Sequence, residues 1–281
     1  MKNPLGFGSA GITGMSSYRQ AKRLLDRAFE AGIRHFDTAP LYGQGFSEKI
    51  IGAFIRNKRD QVTITTKFGL GVTKEKSIPL SLALPLNYYR KKWRGGGAAA
   101  VGGEDTPGPM HKRTISLQEV KSSLENSLRR LGTGHIDYFF LHEGLPSFLE
   151  ENAMEFLLDQ KGKGVIGALG LATNSLHLRQ LENKELTYWD VLQYEAPGLA
   201  EDGALQALFP EKTHFFHSCL KHLNKFHADG ISEEAKAGFI LAEQAKKIGQ
   251  GKILFFTRRE NMLLQNISSF DRYYPDNLKI Q

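Results

Sequence analysis

The chain has 281 residues, of which 41% are hydrophobic, and it carries a formal net charge of +7. This length and apolar content are enough for a large buried core, which argues against extensive disorder and favours one large α/β domain. The positive charge favours an anionic partner, but charge alone leaves a nucleotide phosphate, an acidic substrate, nucleic acid and a membrane surface open. Because Cys219 is the only cysteine, disulfide bonds and thiolate metal clusters within one chain are excluded.

The N-terminus lacks the basic, then apolar, then small-residue order of a signal peptide. No apolar run approaches the roughly 20 residues that a membrane-spanning helix needs. Together with the single cysteine, these features predict a cytoplasmic protein without a membrane partner. Lysine and arginine are spread along the chain, and their densest clusters are short. As an alternative to an anionic partner, most of them are therefore explained as solvated surface residues.

Strand and helix patterns alternate along the whole chain, apart from one interruption. Strands are predicted at residues 5–8, 33–36, 62–67, 136–141, 165–171, 189–194, 213–217 and 252–257. Helical patterns cover residues 17–31, 47–57, 117–131, 148–160, 176–183 and 233–248. Eight such strands predict a closed (β/α)8 TIM barrel, formed by residues 1–281 as a single domain. An open doubly wound sheet is disfavoured because its GxGxxG fingerprint follows none of the predicted strands.

The interruption is the segment 68–113, which mixes apolar and aromatic residues with a GGGAAAVGG run and a Pro/Gly cluster. Loops of this length are usually lids, binding loops or disordered segments. We therefore predict a partly ordered insertion after the third strand. Its aromatic residues Tyr88, Tyr89 and Trp93 are candidate walls of a substrate pocket, and a mobile surface loop is the alternative.

The stretch FDTAPLYGQGFSE, residues 36–48, predicts a strand, a polar loop and a helix. Asp37 closes the strand, a proline and a glycine force the loop, and Tyr42 stands five residues after the acid. Ser47 and Glu48 are typical of a helix N-terminus, where a hydroxyl caps free amides and an acid meets the positive end of the helix dipole. This stretch therefore presents a carboxylate and a phenol together where a strand ends.

Two further titratable side chains fall at predicted strand ends, Lys67 as the last residue of the third strand and His142 directly after the fourth. In this kind of barrel, chemistry is carried at the carboxyl ends of the strands, so both would face the same bowl as Asp37 and Tyr42. Taken singly, each of the four has an ordinary structural explanation, such as loop ordering, aromatic packing or solvation. Their coincidence at equivalent positions favours a catalytic site.

Such a set is suited to delivering a proton to a carbonyl oxygen. A phenol with a pKa of about 10 donates poorly at neutral pH unless a nearby cation stabilises its phenolate. Lys67 would supply that cation, Asp37 would hold the ammonium in place, and His142 would donate to the substrate oxygen. Because no amino acid supplies a hydride, a nicotinamide cofactor must accompany these groups.

The motifs DTAPLYGQGFSEKIIG, TTKFG, SLENSLRRLGTGHIDYFFLHE, GLATNS, LQYE and TRRENMLLQN occur in this order. In sequence and spacing they resemble the aldo-keto reductases, over most of the chain outside the insertion and residues 196–249. The resemblance implies an NADPH-dependent reductase that passes hydride from the nicotinamide to an aldehyde or ketone. It places the family's catalytic tetrad on Asp37, Tyr42, Lys67 and His142, with Tyr42 as the general acid in reduction.

The same resemblance implies the positions that hold the nicotinamide end of the cofactor. Thr173, Asn174 and Gln193 would contact the carboxamide, and Ser9 would approach the cofactor from the first strand. Many family members stack an aromatic residue from the seventh strand on the nicotinamide ring, in a pattern like YSPL. This chain has HSCL there, so His217 would do the stacking.

At the adenosine end, the resemblance places Arg258 and Arg259 beside the 2′-phosphate and matches Gln265 and Asn266 to the adenine contacts. A guanidinium suits a phosphate dianion, so NADPH is expected rather than NADH. A surface arginine pair without a ligand is the alternative. No metal is expected at the site.

Two other classes of function stay open at this point. One is a cofactor-binding regulatory subunit that senses redox state with little turnover, since some relatives use this fold in that way. The other is nucleic-acid binding, which rests on net charge alone and lacks the interleaved aromatic and basic residues of the known modules. The sequence leaves the oligomeric state and the identity of the carbonyl substrate open.

Overall fold

A computed structural model describes residues 3–70, 79, 81–82, 84–85, 113–199, 204–221 and 223–274. Eight parallel strands pair in chain order into a closed barrel, in which the eighth strand returns to pair with the first. The predicted (β/α)8 barrel is therefore confirmed. The strands are Leu5–Gly8 (β1), His35–Asp37 (β2), Thr63–Phe68 (β3), Ile136–His142 (β4), Ile166–Ala172 (β5), Val191–Glu195 (β6), Thr213–His217 (β7) and Lys252–Phe255 (β8).

The described α-helices lie between these strands and after the last one. They are Tyr18–Glu30 (α1), Phe46–Ile55 (α2), Leu117–Leu131 (α3), Glu151–Gly162 (α4), Ser175–Leu178 (α5), Ala204–Leu208 (α6), Lys236–Ile248 (α7) and Glu260–Tyr273 (α8). Helices α6 and α8 were not predicted from the sequence. In the part of the chain that the structure describes, no helix combines the length and hydropathy of a membrane span.

Helix α3 shows why some boundaries can be predicted from local sequence. The Ser116 hydroxyl accepts a hydrogen bond from the backbone N–H of Glu119, and the Glu119 carboxylate accepts one from the backbone N–H of Ser116. This reciprocal capping box fixes the start of the helix. Gly132 adopts a left-handed conformation at its end, φ 65°, which favours glycine. The observed bounds of α3 coincide with the predicted ones.

The barrel interior contains a layer of aromatic side chains. His35 on β2 and Phe215 on β7 have ring centroids 5.1 Å apart, although these two strands are not paired, so the rings meet across the interior. Tyr138 and Phe140 on β4 pack against the same Phe215 ring at 5.1 and 5.8 Å. Because side chains alternate across a strand, residues two positions further along also point inward. Asp37, His142 and His217 lie in those positions, one layer above the aromatic rings.

The predicted insertion falls between β3 and α3, as expected from the sequence. Most of the segment 68–113 lies outside the described residues, including Tyr88, Tyr89 and Trp93, so its role as a pocket wall stays a prediction. Among the few described residues in the segment, Leu84 is fully buried and belongs to the hydrophobic core.

The start of α2 differs from the prediction. Gly45 precedes the helix with φ 84°, and Ser47 lies inside the first turn without capping it. The Ser47 hydroxyl instead accepts a hydrogen bond from Thr38 at 2.8 Å and lies 2.7 Å from the Ser9 hydroxyl. The helix therefore begins earlier than predicted, and long-range partners take the hydroxyl that was expected to cap it.

Glu48 lies in the first turn of α2, as predicted for an acid at the positive end of the helix dipole, and its carboxylate is fully buried. It accepts hydrogen bonds from the Thr66 hydroxyl at 2.7 Å and from the Arg130 guanidinium at 2.8 Å. The Arg130 side chain is only 5% exposed, so this ion pair lies almost entirely out of water. It connects α2 to β3 and α3 on the side of the barrel that carries Lys67.

Breaking this buried pair should destabilise the fold strongly. Replacing Arg130 by leucine removes the cation and leaves Glu48 as an uncompensated buried charge, which costs about 3–5 kcal/mol in comparable cases. We expect Arg130→Leu to lower the free energy of unfolding by this amount in urea denaturation. The neighbouring Arg129 is exposed on the same helix, so Arg129→Leu should change stability by no more than about 0.5 kcal/mol. Equal stabilities of the two variants would show that the Glu48–Arg130 pair does not stabilise the fold.

Candidate active site

The four residues of the predicted tetrad meet at the carboxyl end of the barrel. Asp37 and His142 are the last residues of β2 and β4, and Lys67 is the penultimate residue of β3. The Lys67 ammonium lies 2.7 Å from the Asp37 carboxylate and 3.5 Å from the Tyr42 hydroxyl. The rings of Tyr42 and His142 face each other edge to face, with centroids 6.0 Å apart. The carboxylate, ammonium, phenol and imidazole therefore form one cluster.

Lys67 is 2% exposed and donates hydrogen bonds to the Asp37 carboxylate and to the backbone carbonyl of Thr38, the latter at 3.0 Å. Burial lowers the pKa of this lysine, but Asp37 and Tyr42 outweigh burial and raise the pKa above its ordinary value. The lysine is therefore an ammonium ion at neutral pH.

The pKa of Tyr42 differs from the expectation that Lys67 makes this phenol more acidic. Burial raises the pKa of Tyr42, Lys67 lowers it as expected, and Asp37 raises it again. The net pKa is raised above 10.0, because burial and the carboxylate together outweigh the ammonium. Tyr42 therefore retains its proton at neutral pH.

Both carboxylate oxygens of Asp37 are engaged. Oδ1 accepts from Lys67, and Oδ2 accepts from the side-chain amide of Gln193 at 2.8 Å. Gln193 lies on β6 and is 156 residues from Asp37 in sequence. The resemblance places this glutamine at the nicotinamide carboxamide, and nothing local in the sequence indicated its hydrogen bond to the tetrad. The structure therefore shows Gln193 as a direct support of Asp37.

A chain of hydroxyl groups fixes the end of β2. Thr38 donates to Ser47, and Ser9 donates to the backbone carbonyl of Asp37 at 2.7 Å. Since the Ser9 proton is used in that bond, Ser47 is the donor in the 2.7 Å contact between the two serine hydroxyls. Ser9, predicted to approach a cofactor, is fully buried. Its hydroxyl thus orders the backbone that carries Asp37.

His142 and His217 are both uncharged at neutral pH. Burial lowers the pKa of His142 well below 6.5, and the charges of Lys67 and His217 act in the same direction. Burial also lowers the pKa of His217, to about 4, with Lys67 again contributing. His217 Nδ1 lies 2.9 Å from the Ser218 hydroxyl, whereas the buried Nδ1 of His142 has no hydrogen-bond partner among the described residues.

The other two residues predicted to contact the nicotinamide carboxamide, Thr173 and Asn174, lie beside this cluster. Thr173 is 1% exposed, and its backbone N–H donates to the carbonyl of Gln193 at 3.1 Å. Asn174 is exposed and begins α5, where its side-chain oxygen accepts from the backbone N–H of His177. These side chains follow the carboxyl end of β5, adjacent to β6.

The predicted adenosine positions lie after β8. Arg258 and Arg259 are exposed, and Arg259 is the residue at which α8 begins. Gln265 and Asn266 lie within α8, and the Gln265 side chain already donates to the backbone carbonyl of Glu234 at 2.8 Å. Asn266 is 4% exposed. In the described part of the chain, no group of three or more His, Cys, Asp or Glu side chains is arranged to hold a metal ion.

Residues 4–210 match the model of the Aldo/keto reductase family. This match covers more than half of the chain, and the barrel and the arrangement of the four residues agree with it. The chain belongs to the Aldo/keto reductase family.

Among curated proteins, the chain is similar to a D-threo-aldose 1-dehydrogenase from a Pseudomonas species, with 30% identity over 60% of this chain and 49% of the relative. It is also similar to a pyridoxal 4-dehydrogenase from Microbacterium luteolum, with 32% identity over 50% of this chain and 39% of the relative. The chain thus spans about half or less of the length of these relatives. A solved aldo-keto reductase from Klebsiella pneumoniae in complex with NADPH has a similar fold, with a TM-score of 0.61 and 18% identity over 95% of this chain and 85% of that one.

The lowered pKa of His217 predicts an acid-sensitive fold. The pKa is about 4 in the folded protein and 6.5 for an unperturbed histidine. Between these values the unfolded state binds a proton that the folded state does not, so stability falls as the pH drops from about 6.5 to about 4. His217→Asn should make the free energy of unfolding fall less steeply on acidification, by up to about 1.4 kcal/mol per pH unit. Urea unfolding at pH 7 and pH 5, without cofactor, measures the difference.

The matched control is His135→Asn, which removes an exposed imidazole outside the cluster. If His217→Asn retained the full pH dependence of the wild-type protein, His217 would be protonated equally in the folded and unfolded states.

Proposed function

We propose that this protein is an NADPH-dependent aldo-keto reductase that reduces an aldehyde or ketone to an alcohol, with Tyr42 as the general acid. The observation that carries the proposal is the Tyr42 hydroxyl 3.5 Å from an ammonium that is itself paired with a buried carboxylate. Family membership and the names of the curated relatives, which are dehydrogenases of an aldose and of pyridoxal, support carbonyl and alcohol chemistry.

Tyr42, Lys67 and Asp37 have separate roles in the proposed proton transfer. Tyr42 holds a proton on its hydroxyl and gives it to the carbonyl oxygen as negative charge develops there. Lys67 stabilises the phenolate that remains, and Asp37 keeps the lysine charged and in position. The contacts of the Lys67 ammonium with the Asp37 carboxylate and the Tyr42 hydroxyl support these roles.

His142 would orient the substrate as a neutral imidazole. Its buried Nδ1 has no hydrogen-bond acceptor within the described part of the chain. A buried N–H without a partner is rarer and more costly than an unused acceptor, so we assign the proton to Nε2. From there it would donate to the carbonyl oxygen beside the Tyr42 hydroxyl and stabilise the developing charge.

The chemistry of the available groups fits NADPH, which supplies the hydride when bound. The Thr173 hydroxyl and the Asn174 and Gln193 amides suit a carboxamide, and the neutral His217 ring suits stacking on an uncharged nicotinamide. At the adenosine end, the guanidinium groups of Arg258 and Arg259 have no ion pair with any described residue. The solved Klebsiella pneumoniae relative binds NADPH, which supports the same cofactor here. Ser9, Gln265 and Asn266 complete the proposed binding set.

The function is tested by following NADPH oxidation with small aldehydes and ketones. We expect Tyr42→Phe to lower turnover by on the order of 100-fold or more, the usual contribution of a positioned general acid. Lys67→Met should lower it similarly, because the phenolate would lose its cation. Both variants should still bind NADPH and show a wild-type circular dichroism spectrum. Full turnover by either variant at pH 7 would contradict the assigned role.

Tight NADPH binding by the wild-type protein without turnover of any carbonyl compound would instead support the regulatory alternative. In that case the tetrad would position the cofactor without carrying out reduction.

The arginine pair predicts the choice of cofactor. Hydrogen bonds to charged groups are worth about 1.5–3 kcal/mol each, so replacing both Arg258 and Arg259 with alanine should weaken NADPH binding by about a hundredfold or more. NADH binding should change little, because NADH lacks the 2′-phosphate. Fluorescence titration with each dinucleotide measures both constants. The control replaces Arg56 and Arg129, which are exposed elsewhere, with alanine. Equal weakening of NADPH and NADH would show that the pair does not contact the 2′-phosphate.

A further inference from the structure

Glu143 directly follows His142 at the end of β4, and its backbone is left-handed, with φ 52°. Its backbone N–H still donates to the carbonyl of Ala172 at 2.7 Å, so the residue is held by the β4–β5 ladder. Non-glycine residues at positive φ cost of order 1–3 kcal/mol and concentrate at functional sites. The chain therefore holds a glutamate in an unfavourable conformation at the mouth of the barrel.

The carboxylate of Glu143 is half-buried and forms no hydrogen bond or ion pair with any described residue. By contrast, the buried carboxylates of Asp37 and Glu48 are each bonded to a cation. A carboxylate removed from water without a partner is costly, and native structures rarely retain one without a functional reason. Burial raises the pKa of Glu143, with Lys67 opposing it, which agrees with a carboxylate that lacks a close cation.

Glu143 also directly follows a residue of the cluster, since the ring of His142 faces the Tyr42 ring with centroids 6.0 Å apart. The charge of Glu143 raises the pKa of the Tyr42 phenol, and the charge of Lys67 lowers the pKa of Glu143. A carbonyl compound whose oxygen contacts Tyr42 would therefore place its neighbouring atoms within range of this carboxylate.

The charges of the cluster decide which substrate suits it. Lys67 and Asp37 neutralise each other, whereas Tyr42 and the two histidines carry no charge at neutral pH. The ionised carboxylate of Glu143 is thus left uncompensated. A neutral hydroxyl on the substrate would satisfy an oxygen of this carboxylate but not its charge. A protonated amine would do both, a quaternary ammonium group would compensate the charge alone, and a substrate carboxylate would be repelled.

We propose that Glu143 is a substrate-binding residue that selects carbonyl compounds carrying a positive charge, such as ammonium-bearing aldehydes, and disfavours those carrying a carboxylate. The inference rests on the proposed reductase function and names the substrate class of the same site. Glu143 contacts the substrate away from the reacting carbonyl and takes no part in proton transfer.

The test uses aldehydes that differ in charge. Betaine aldehyde and 3,3-dimethylbutanal have the same shape, and only the first carries a positive charge, while succinic semialdehyde carries a negative one. We expect the wild-type protein to prefer betaine aldehyde over its neutral isostere in kcat/KM. Glu143→Gln should lower this preference about tenfold or more, as for loss of one partner of a close charge pair. The same variant should raise kcat/KM for succinic semialdehyde, because the carboxylate that repels it is removed.

The control is Glu155→Gln, which removes the same charge from an exposed position on α4 and should leave all three aldehydes unchanged. Two results would overturn the inference. One is an equal preference for betaine aldehyde in the wild-type protein and Glu143→Gln, and the other is the lack of this preference in the wild-type protein.

A binding experiment separates this inference from the proposed function. Calorimetric titration of the NADP⁺-bound protein with choline and with 3,3-dimethylbutan-1-ol compares the two product alcohols without turnover. Tighter binding of choline that disappears in Glu143→Gln supports the charge recognition, even if no aldehyde is reduced and the proposed function fails. Turnover of neutral aldehydes with no preference for choline would support the reductase and overturn the role of Glu143.

Discussion

The ion pair between Asp37 and Lys67 is the interaction on which the site depends. Its 2.7 Å length and near-complete burial mean that two charges have been removed from water, at a cost of several kcal/mol per ion. The pair is tolerable because its hydrogen-bonding groups have partners. Asp37 accepts from Gln193 as well as from Lys67, and Lys67 donates also to the Thr38 carbonyl. The Lys67 ammonium also lies 3.5 Å from the Tyr42 hydroxyl.

The rest of the barrel maintains this pair. Below it, the rings of His35, Tyr138 and Phe215 close the interior and keep water away from the charges. Beside it, the serine hydroxyls of Ser9 and Ser47 fix the backbone of Asp37. Because side chains alternate along a strand, residues two positions apart face the same side. Inward-facing residues of the aromatic layer are therefore followed by inward-facing residues of the charged layer. The aromatic layer and the layer of charged side chains above it therefore both result from the geometry of the strands.

The sequence predicted those features that local patterns determine. The bounds of α3 were correct because a capping box and a left-handed glycine mark its two ends. The cap assigned to Ser47 was wrong because a partner 38 residues away competes for the same hydroxyl. The bond from Gln193 to Asp37 could not be predicted, since only closure of the barrel brings β6 across to β2. Helix α8 was missed because its amphipathic pattern was interpreted as a cofactor segment.

Glu143 shows a different limit of sequence-based prediction. Its identity and its place after His142 were visible in the sequence, but a glutamate at a strand end is ordinary. What distinguishes it is a positive φ and a carboxylate without a partner among the described residues, and both are properties of the folded chain. The same holds for the neutral histidines, whose charge state depends on burial rather than on neighbours in sequence.

The raised pKa of Tyr42 has a consequence for the direction of the reaction. A general acid must hold its proton until negative charge develops on the substrate, and burial ensures this at neutral pH. An alkoxide is a far stronger base than a phenolate, so proton transfer is downhill even from a phenol whose pKa is raised. Lys67 then stabilises the phenolate at the moment it forms. Oxidation of an alcohol would instead require the phenolate at the outset, which the same burial disfavours. In the proposed reductase, the protonated phenol of Tyr42 is thus suited to act as the general acid of carbonyl reduction.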